Sequence, residues 1–318
     1  MIAASSVPLR SVLFHHIADR DSGFTRRLGV RMDVDVFRRR LSHLVRHYRP
    51  VALDDVRAAL AGDALPPRAL LVTIDDAYAS VASTAAPILD ELGVPSVFFV
   101  NGGFIDHREI NIDNLVMYTA HVAGDAAVAR AVVRARPGGR PVDPAGVLAD
   151  LVPTMRLDEV AALRAALHDE LDHDPLEAAA AEGLYLSTDQ LQSLPTSMTI
   201  ASHTRSHVRC RMLDAGELDQ QIAGNRRLLA EMTGQPIHGF SVPYGSHLDL
   251  PPSVESAIAA AGHDVTFLVE GQLNHGPLGA GPLLRVSVSK ATPLGGAVEL
   301  EVLPRLRRLR DAVRGTRR

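Results

Sequence analysis

Short apolar runs that do not alternate with polar residues are what most restrict the folds open to this chain. Leu70–Ile74 (LLVTI) and Val94–Val100 (VPSVFFV) carry no charge on either face. A strand apolar on both faces belongs in a parallel sheet covered by helices on both sides. Ser11–Phe14, Val51–Leu53, Met198–Ser202, Ile237–Val242, Val265–Val269 and Leu283–Val288 also read as strands. Helical signals separate them. Phe37, Leu41, Leu44, Val45 and Tyr48 recur at helical spacing after Asp33. Asp54 is expected to cap a short helix closed near Gly62, and Thr84–Leu92 stops at Gly93. Ser187 with Gln190, and Asp214 with Glu217, form capping boxes, and Gly234 ends the second of these helices. Strands and helices in this alternation predict an α/β fold, a distorted (β/α) barrel, with an open doubly wound sheet as the alternative.

Two segments break the rhythm. Residues 104–186 lack strand signals and are rich in Ala, Leu, Asp and Arg, which predicts a helical insertion over the barrel mouth with Arg136–Pro144 as an internal loop. The expected organisation is one barrel domain over residues 1–300, carrying that insertion, followed by a basic tail over 301–318. In the tail, seven arginines surround Val302, Leu306, Leu309 and Val313 at helical spacing. Such a tail is ordinarily a solvated helix; weak contact with an anionic membrane surface is the other reading. A formal net charge of −4 gives no global basic field, so nucleic acid is not expected as a partner. Cys210 stands alone, which excludes an intrachain disulfide and a cysteine metal cluster. Residues 1–10 lack a cationic segment followed by an apolar one, and no apolar run approaches the roughly 18 residues of a membrane span. The expected setting is the cytoplasm, with the tail as the one device for peripheral membrane contact.

With fourteen histidines in the chain, placement has to decide which matter. Leu70–Ile74 runs directly into Asp75-Asp76, and Met198–Ser202 runs directly into His203-Thr204-Arg205-Ser206-His207. Carboxyl ends of parallel strands are where ligands and catalytic groups collect. Two histidines four apart, with one carboxylate, make a three-ligand set that leaves a zinc-like ion a free position for water. A second carboxylate beside it is free to act as a base. Paired aspartates after a strand are ordinarily a turn or a cap, and His43 and His47 repeat the four-residue spacing on an ordinary helix face. Only the coincidence of both motifs at strand ends favours chemistry.

The motifs resemble those of the polysaccharide deacetylases, carbohydrate esterase family four. Thr73-Ile74-Asp75-Asp76 is similar to the family's TFDD, Ser202–His207 to its S-H-[ST]-x-x-H, and Phe240–Gly245 to its F-R-x-P-Y-G. Val12–Ile17 resembles the Y-H-x-[VI] opening of the exopolysaccharide-type branch. Tyr48–Val56, Pro87–Leu89 and Gly93–Val100 read like that branch as well. The resemblance implies a divalent metal, Zn2+ or else Co2+ or another ion, on Asp76, His203 and His207. It implies Asp75 as general base, the Tyr244 backbone N–H as an oxyanion donor, and Thr204 as a support for the histidine loop.

This chain departs from the family at Ala77 in place of Gly, Ser241 in place of Arg, Arg285 near the place of a proton-donating His, and in having no tryptophan. The expected activity is metal-dependent removal of an N-acetyl or similar acyl group from an amino sugar, free, nucleotide-linked or lipid-linked. A catalytically silent carbohydrate-binding homologue and an amidase for a non-sugar amide are the alternatives. Arginine cannot protonate a leaving amine. Strand-end placement favours His16 as the donor over His263 and His275, with simple barrel packing as the plain account of His15 or His16.

Overall fold

The computed structural model describes residues 7–136, 138, 142–275, 277–279, 281–288 and 298–302. Its strands, in chain order, are β1 (Leu9–Phe14), β2 (His16–Ile17), β3 (Arg31–Met32), β4 (Arg49–Pro50), β5 (Ala69–Asp75), β6 (Ser96–Val100), β7 (Met198–Ser202), β8 (Gly239–Ser241), β9 (Val265–Leu268), β10 (Leu283–Leu284) and β11 (Val286–Ser287). The main sheet runs β10-β9-β8-β7-β6-β5-β1-β11, with β4 added beside β5. Every pairing in it is parallel.

Closure comes from one residue. β10 pairs with β9 (Leu283↔Phe267) and β11 pairs with β1 (Val286↔Val12). Only Arg285 separates β10 from β11, so a single passage of chain bridges the two edges of the sheet. The result is a nearly closed barrel, as the strand–helix alternation predicts, and not an open sheet. Period-two alternation sorts the strand side chains. Leu71, Val97, Phe99, Ala201, Phe267 and Leu283 gather in one buried cluster inside the ring. Leu70, Val72, Ile74, Phe98 and Val100 pack outward with Phe37 and Leu41 of the helix Val34–His47.

Two local expectations need correction. The strand expected at Val51–Leu53 is confined to Arg49–Pro50, because Leu53 already opens the helix Leu53–Leu60. That helix is capped from inside, with the Ala52 N–H donating to the Asp55 carboxylate at 2.8 Å, and not by Asp54. The capping boxes at Ser187/Gln190 and Asp214/Glu217 form as expected.

The insertion is helical: Ile112–Val122, Asp125–Ala135, Leu157–His168 and Pro175–Ala181 are its main helices. Buried hydrogen bonds join it to the loop after β5. Tyr185 donates its hydroxyl to Asn114 Oδ1 (2.7 Å), and Asn114 Nδ2 donates to the Tyr78 hydroxyl (3.0 Å). The Leu186 N–H donates to the Ala77 carbonyl (2.9 Å), and the Ala79 N–H to the Leu184 carbonyl (3.0 Å). Much of the expected internal loop and the whole stretch holding the seven tail arginines lie outside the described residues. No described helix is long and apolar enough to cross a membrane.

Two histidines are buried away from the motif residues. His16 contacts Ser80 Oγ through Nδ1 (2.8 Å) and packs against Tyr78; His263 packs against Phe240. Burial lowers each to about 4. Both therefore stay neutral in the native state where the unfolded chain, near 6.5, takes up protons. Between pH 6.5 and 4 the unfolded state binds more protons, so stability must fall as pH falls. Urea midpoints measured across that range should drop with acidification, and replacing both histidines by Gln should flatten the dependence.

Candidate active site

The two motifs meet at the carboxyl-terminal rim of the barrel. Asp75 ends β5 and Asp76 follows it; His203 follows β7 and His207 lies one turn further on. One oxygen of Asp76 and one ring nitrogen from each of His203 and His207 lie within 4.8 Å of one another, the one such metal-competent group among the described residues. His203 Nε2 is 3.9 Å and His207 Nε2 3.6 Å from Asp76 Oδ1. Ligand atoms about 2.0–2.2 Å from a zinc ion at tetrahedral angles lie roughly this far apart. His43 and His47 stack on each other at 4.5 Å, with no carboxylate completing a set.

Three observations fit a cation here. Asp76 Oδ1 is buried and accepts no hydrogen bond. Burial, reinforced by the neighbouring Asp75 charge, drives the Asp76 carboxyl well above the usual range. An acidic oxygen with no donor is costly unless a positive charge offsets it. Burial likewise lowers both histidines, which leaves the neutral imidazole that ligation requires. His203 Nδ1 is engaged by the Ser241 carbonyl at 2.7 Å, which turns Nε2, with its lone pair, toward Asp76.

Asp75 has the opposite environment. Arg285 grips it with two hydrogen bonds, Nη1 to Oδ1 at 2.6 Å and Nη2 to Oδ2 at 2.7 Å. Arg285 also donates to Ser241 Oγ (2.6 Å) and Thr73 Oγ1 (3.2 Å), and Ser241 Oγ donates to Asp75 Oδ2 (3.2 Å). The guanidinium is fully buried against the edge-to-face pair of Phe99 and Phe267, 5.1 and 5.9 Å from their ring centroids. Burial alone pushes Asp75 up, but the Arg285 charge outweighs it and holds the carboxyl at about 2. The two departures read in the sequence therefore answer each other. Ser241 lacks a guanidinium, and Arg285 supplies one from the closing strand.

The cavity above these groups holds about 290 Å³ and is lined by His15, Asp75, Asp76, Asn111, Asp113, His203, His207 and Tyr244, with Leu13, Leu28, Val30, Tyr78, Leu148, Val242, Val269 and Ser287. Volume alone does not mark the site: a larger cavity, about 560 Å³, opens at the opposite end around His263 and contains no ligand cluster. His16, the expected proton donor, does not line the 290 Å³ cavity. Successive strand-end residues point to opposite sides, and His16 turns away onto Ser80 while His15 faces the cavity. His263 lies at the far end and His275 is also absent from the lining. Tyr244 lies against His207, ring centroids 4.9 Å apart, and the Arg209 guanidinium lies over the Tyr244 ring, 4.1 Å from its centroid.

The histidine loop after β7 is held by residues that motif reasoning did not single out. Asn101, at the end of β6, donates through Nδ2 to the His203 carbonyl and to the Thr204 carbonyl, the latter at 3.1 Å. Asn225 donates to Ser202 Oγ (2.9 Å) and Val100 O (3.0 Å), and Glu109 accepts from Ser206 Oγ (2.7 Å). Thr204 Oγ1 is buried without a partner, so Thr204 is fixed through its carbonyl and not its hydroxyl. Asn101 directly follows an apolar run, and the strand-end rule that found Asp75 would have found it too. Asn225 lies mid-helix and carries no such signal.

The family model described as polysaccharide deacetylase matches residues 180–265. No curated protein matches the chain. Solved structures share the fold. The Streptococcus pyogenes deacetylase PplD, determined with acetate, aligns at TM-score 0.60 with 12% identity over 92% of this chain and 98% of its own. IcaB from Ammonifex degensii aligns at 0.54 with 18% identity over 87% and 91%, and a de-N-acetylase from Aggregatibacter actinomycetemcomitans at 0.57 with 14% identity over 89% and 96%. Over residues 180–265 the chain is thus similar to the polysaccharide deacetylases, and over most of its length it shares the fold of these solved structures.

Removing one partner of the buried Arg285–Asp75 pair should cost about 3–5 kcal/mol, because the other charge is left unpaired. Arg285→Met alone should lower the denaturant midpoint sharply, and Arg285→Met with Asp75→Asn should recover part of the loss. Equal destabilisation in the single and double variants would show that the pair is not the source.

Proposed function

We propose that the protein hydrolyses the N-acetyl group, or a similar small acyl group, of an amino sugar presented as a small or lipid-linked glycoside, using a divalent ion, most simply Zn2+. The observation that carries this reading is the convergence of Asp75 with the Asp76–His203–His207 group in one cavity. A bound ion would polarise the acyl oxygen and acidify the attacking water. Asp75 takes the proton of that water. Arg285 keeps the carboxylate ionised and fixes both its oxygens, so that little reorganisation accompanies the transfer. The Tyr244 backbone N–H would stabilise the oxyanion; Tyr244 has a left-handed φ of 63° and lines the cavity.

His15 is the donor to the departing amine in this reading, in place of His16. It shares the cavity with Asp75 and His203. Burial lowers it to about 4 while the Asp75 charge opposes the shift. It is thus neutral at rest and becomes a donor on taking up the proton that Asp75 removes from the attacking water, which it passes to the departing amine. With base, ligand set and donor all converging, a silent binding protein is the weaker reading. A narrow cavity of about 290 Å³, at the lower end of small-molecule sites, suits a single acylated ring better than several.

Free-amine release from a panel of N-acetylated sugars, beside acetylated non-sugar amides, tests the substrate class; turnover of the non-sugar amides alone would overturn it. His203→Ala should lose stoichiometric metal, measured by elemental analysis, together with activity. Asp75→Asn should keep metal and lose most turnover. His15→Ala should lower turnover by roughly 10²–10⁴-fold with metal retained, whereas His16→Ala should leave most of it.

A further inference from the structure

The insertion places one acidic side chain over the catalytic groups that the proposed hydrolysis does not use. Asp113 sits in the first turn of the helix Ile112–Val122, whose cap is Asn111; Asn111 Oδ1 accepts the Asp113 N–H at 3.0 Å. Both residues line the same 290 Å³ cavity as His15, Asp75 and the ligand group. The Asp113 carboxylate receives a single long hydrogen bond among the described residues, from the Tyr244 hydroxyl at 3.5 Å. A carboxylate can accept several strong hydrogen bonds, and one taken largely out of water is costly until it does. Asp113 therefore lacks donors, and the cavity is the side from which they can arrive.

Its position is rigid. The start of the helix is tied to the motif loop through buried contacts: the Asn111 N–H donates to the Tyr185 hydroxyl (3.0 Å), Tyr185 to Asn114 (2.7 Å), and Asn114 to Tyr78 (3.0 Å), two residues past Asp76. A group held this firmly can measure a fixed distance from the reacting centre.

We propose that Asp113 is a specificity residue that accepts a hydrogen bond from a hydroxyl of the sugar ring whose acylamino group lies at the metal ligands. The inference rests on the amino-sugar reading above. A hydroxyl donor to a carboxylate is a charge-assisted bond, and sugars present such hydroxyls at fixed positions around the ring. A plain acetamide has none, so Asp113 separates sugars from other amides at the same catalytic groups. Asp113 also links recognition to catalysis, since the tyrosine that donates to it carries the proposed oxyanion N–H.

Binding, not turnover, gives the test, so that loss of the catalytic reading and loss of this one are separable. The metal-loaded full chain would be titrated calorimetrically with N-acetylglucosamine and its 3-, 4- and 6-deoxy analogues. The parent should bind at least one deoxy analogue about 10–100-fold more weakly than N-acetylglucosamine, the range expected for a lost hydrogen bond to a charged group. Asp113→Ala should weaken N-acetylglucosamine by a similar factor and bind that analogue and the parent sugar within about threefold. Asp113→Asn, which keeps the shape and guards against a folding defect, should fall between. A parent that binds all analogues equally, or an Asp113→Ala variant with melting unchanged and discrimination intact, overturns the proposal. Sugar binding that follows the expected pattern without amine release supports Asp113 while overturning the hydrolase reading.

Discussion

The site depends on one buried ion pair. Arg285 lies at the seam where the last passage of chain leaves β9 and joins β1, and it reaches into the barrel to hold Asp75 with both terminal nitrogens. A guanidinium with no solvent exposure is expensive to bury, and its Nε is left without a partner. The rings of Phe99 and Phe267 offset part of that cost through their π faces. The bridge between the sheet edges and the orientation of Asp75 thus rest on the same residue. Lysine would not replace it, because only the planar fork reaches both carboxylate oxygens and Ser241 Oγ together.

Around that pair the backbone adopts conformations that side chains normally avoid. Asp76, Thr204, His207 and Tyr244 have φ of 68°, 58°, 51° and 63°. Left-handed backbone costs of order 1–3 kcal/mol at each non-glycine residue and persists only when the surroundings over-determine it. Here they do. Asn101 and Asn225 tie the histidine loop to the end of β6, and Arg205 N–H bonds to the Gln221 carbonyl at 3.0 Å. Gly103 lets the neighbouring loop approach: a Cβ there would meet the Arg205 carbonyl at 2.8 Å. Several buried polar side chains are therefore committed to geometry and do no chemistry themselves.

Much of this was legible in the sequence because strand periodicity and strand ends are local signals. The apolar run of β5 followed by Asp75-Asp76, and that of β7 followed by His203, located the rim and the side chains that gather there without any long-range information. Arg285 was visible only as a departure, since its meaning depends on which strand closes the ring beside β1, a contact across 210 residues of chain. His15 and His16 show the limit of the strand-end rule. It selects a rim, but adjacent residues face opposite sides, and only the packing of Ser80 and Tyr78 decides which imidazole turns away. Asp113 was hidden for another reason: an insertion without strands has no rim from which to count.

The same alternation makes the paired aspartates instructive. If β5 continued in extended form past Asp75, Asp76 would point outward to the helices and could not share a cavity with its neighbour. The left-handed turn at Asp76 breaks the alternation and returns the second carboxylate to the barrel mouth. Two adjacent carboxylates then occupy one cavity with opposite surroundings. Asp75, gripped by Arg285, is held at about 2 and keeps its charge, whereas burial and that very charge push Asp76 upward. Like charges this close repel, and either a proton on Asp76 or a cation among Asp76 and the two histidines relieves the repulsion. The two carboxylates are told apart by environment and not by residue type, and the one backbone torsion between them makes both environments reachable.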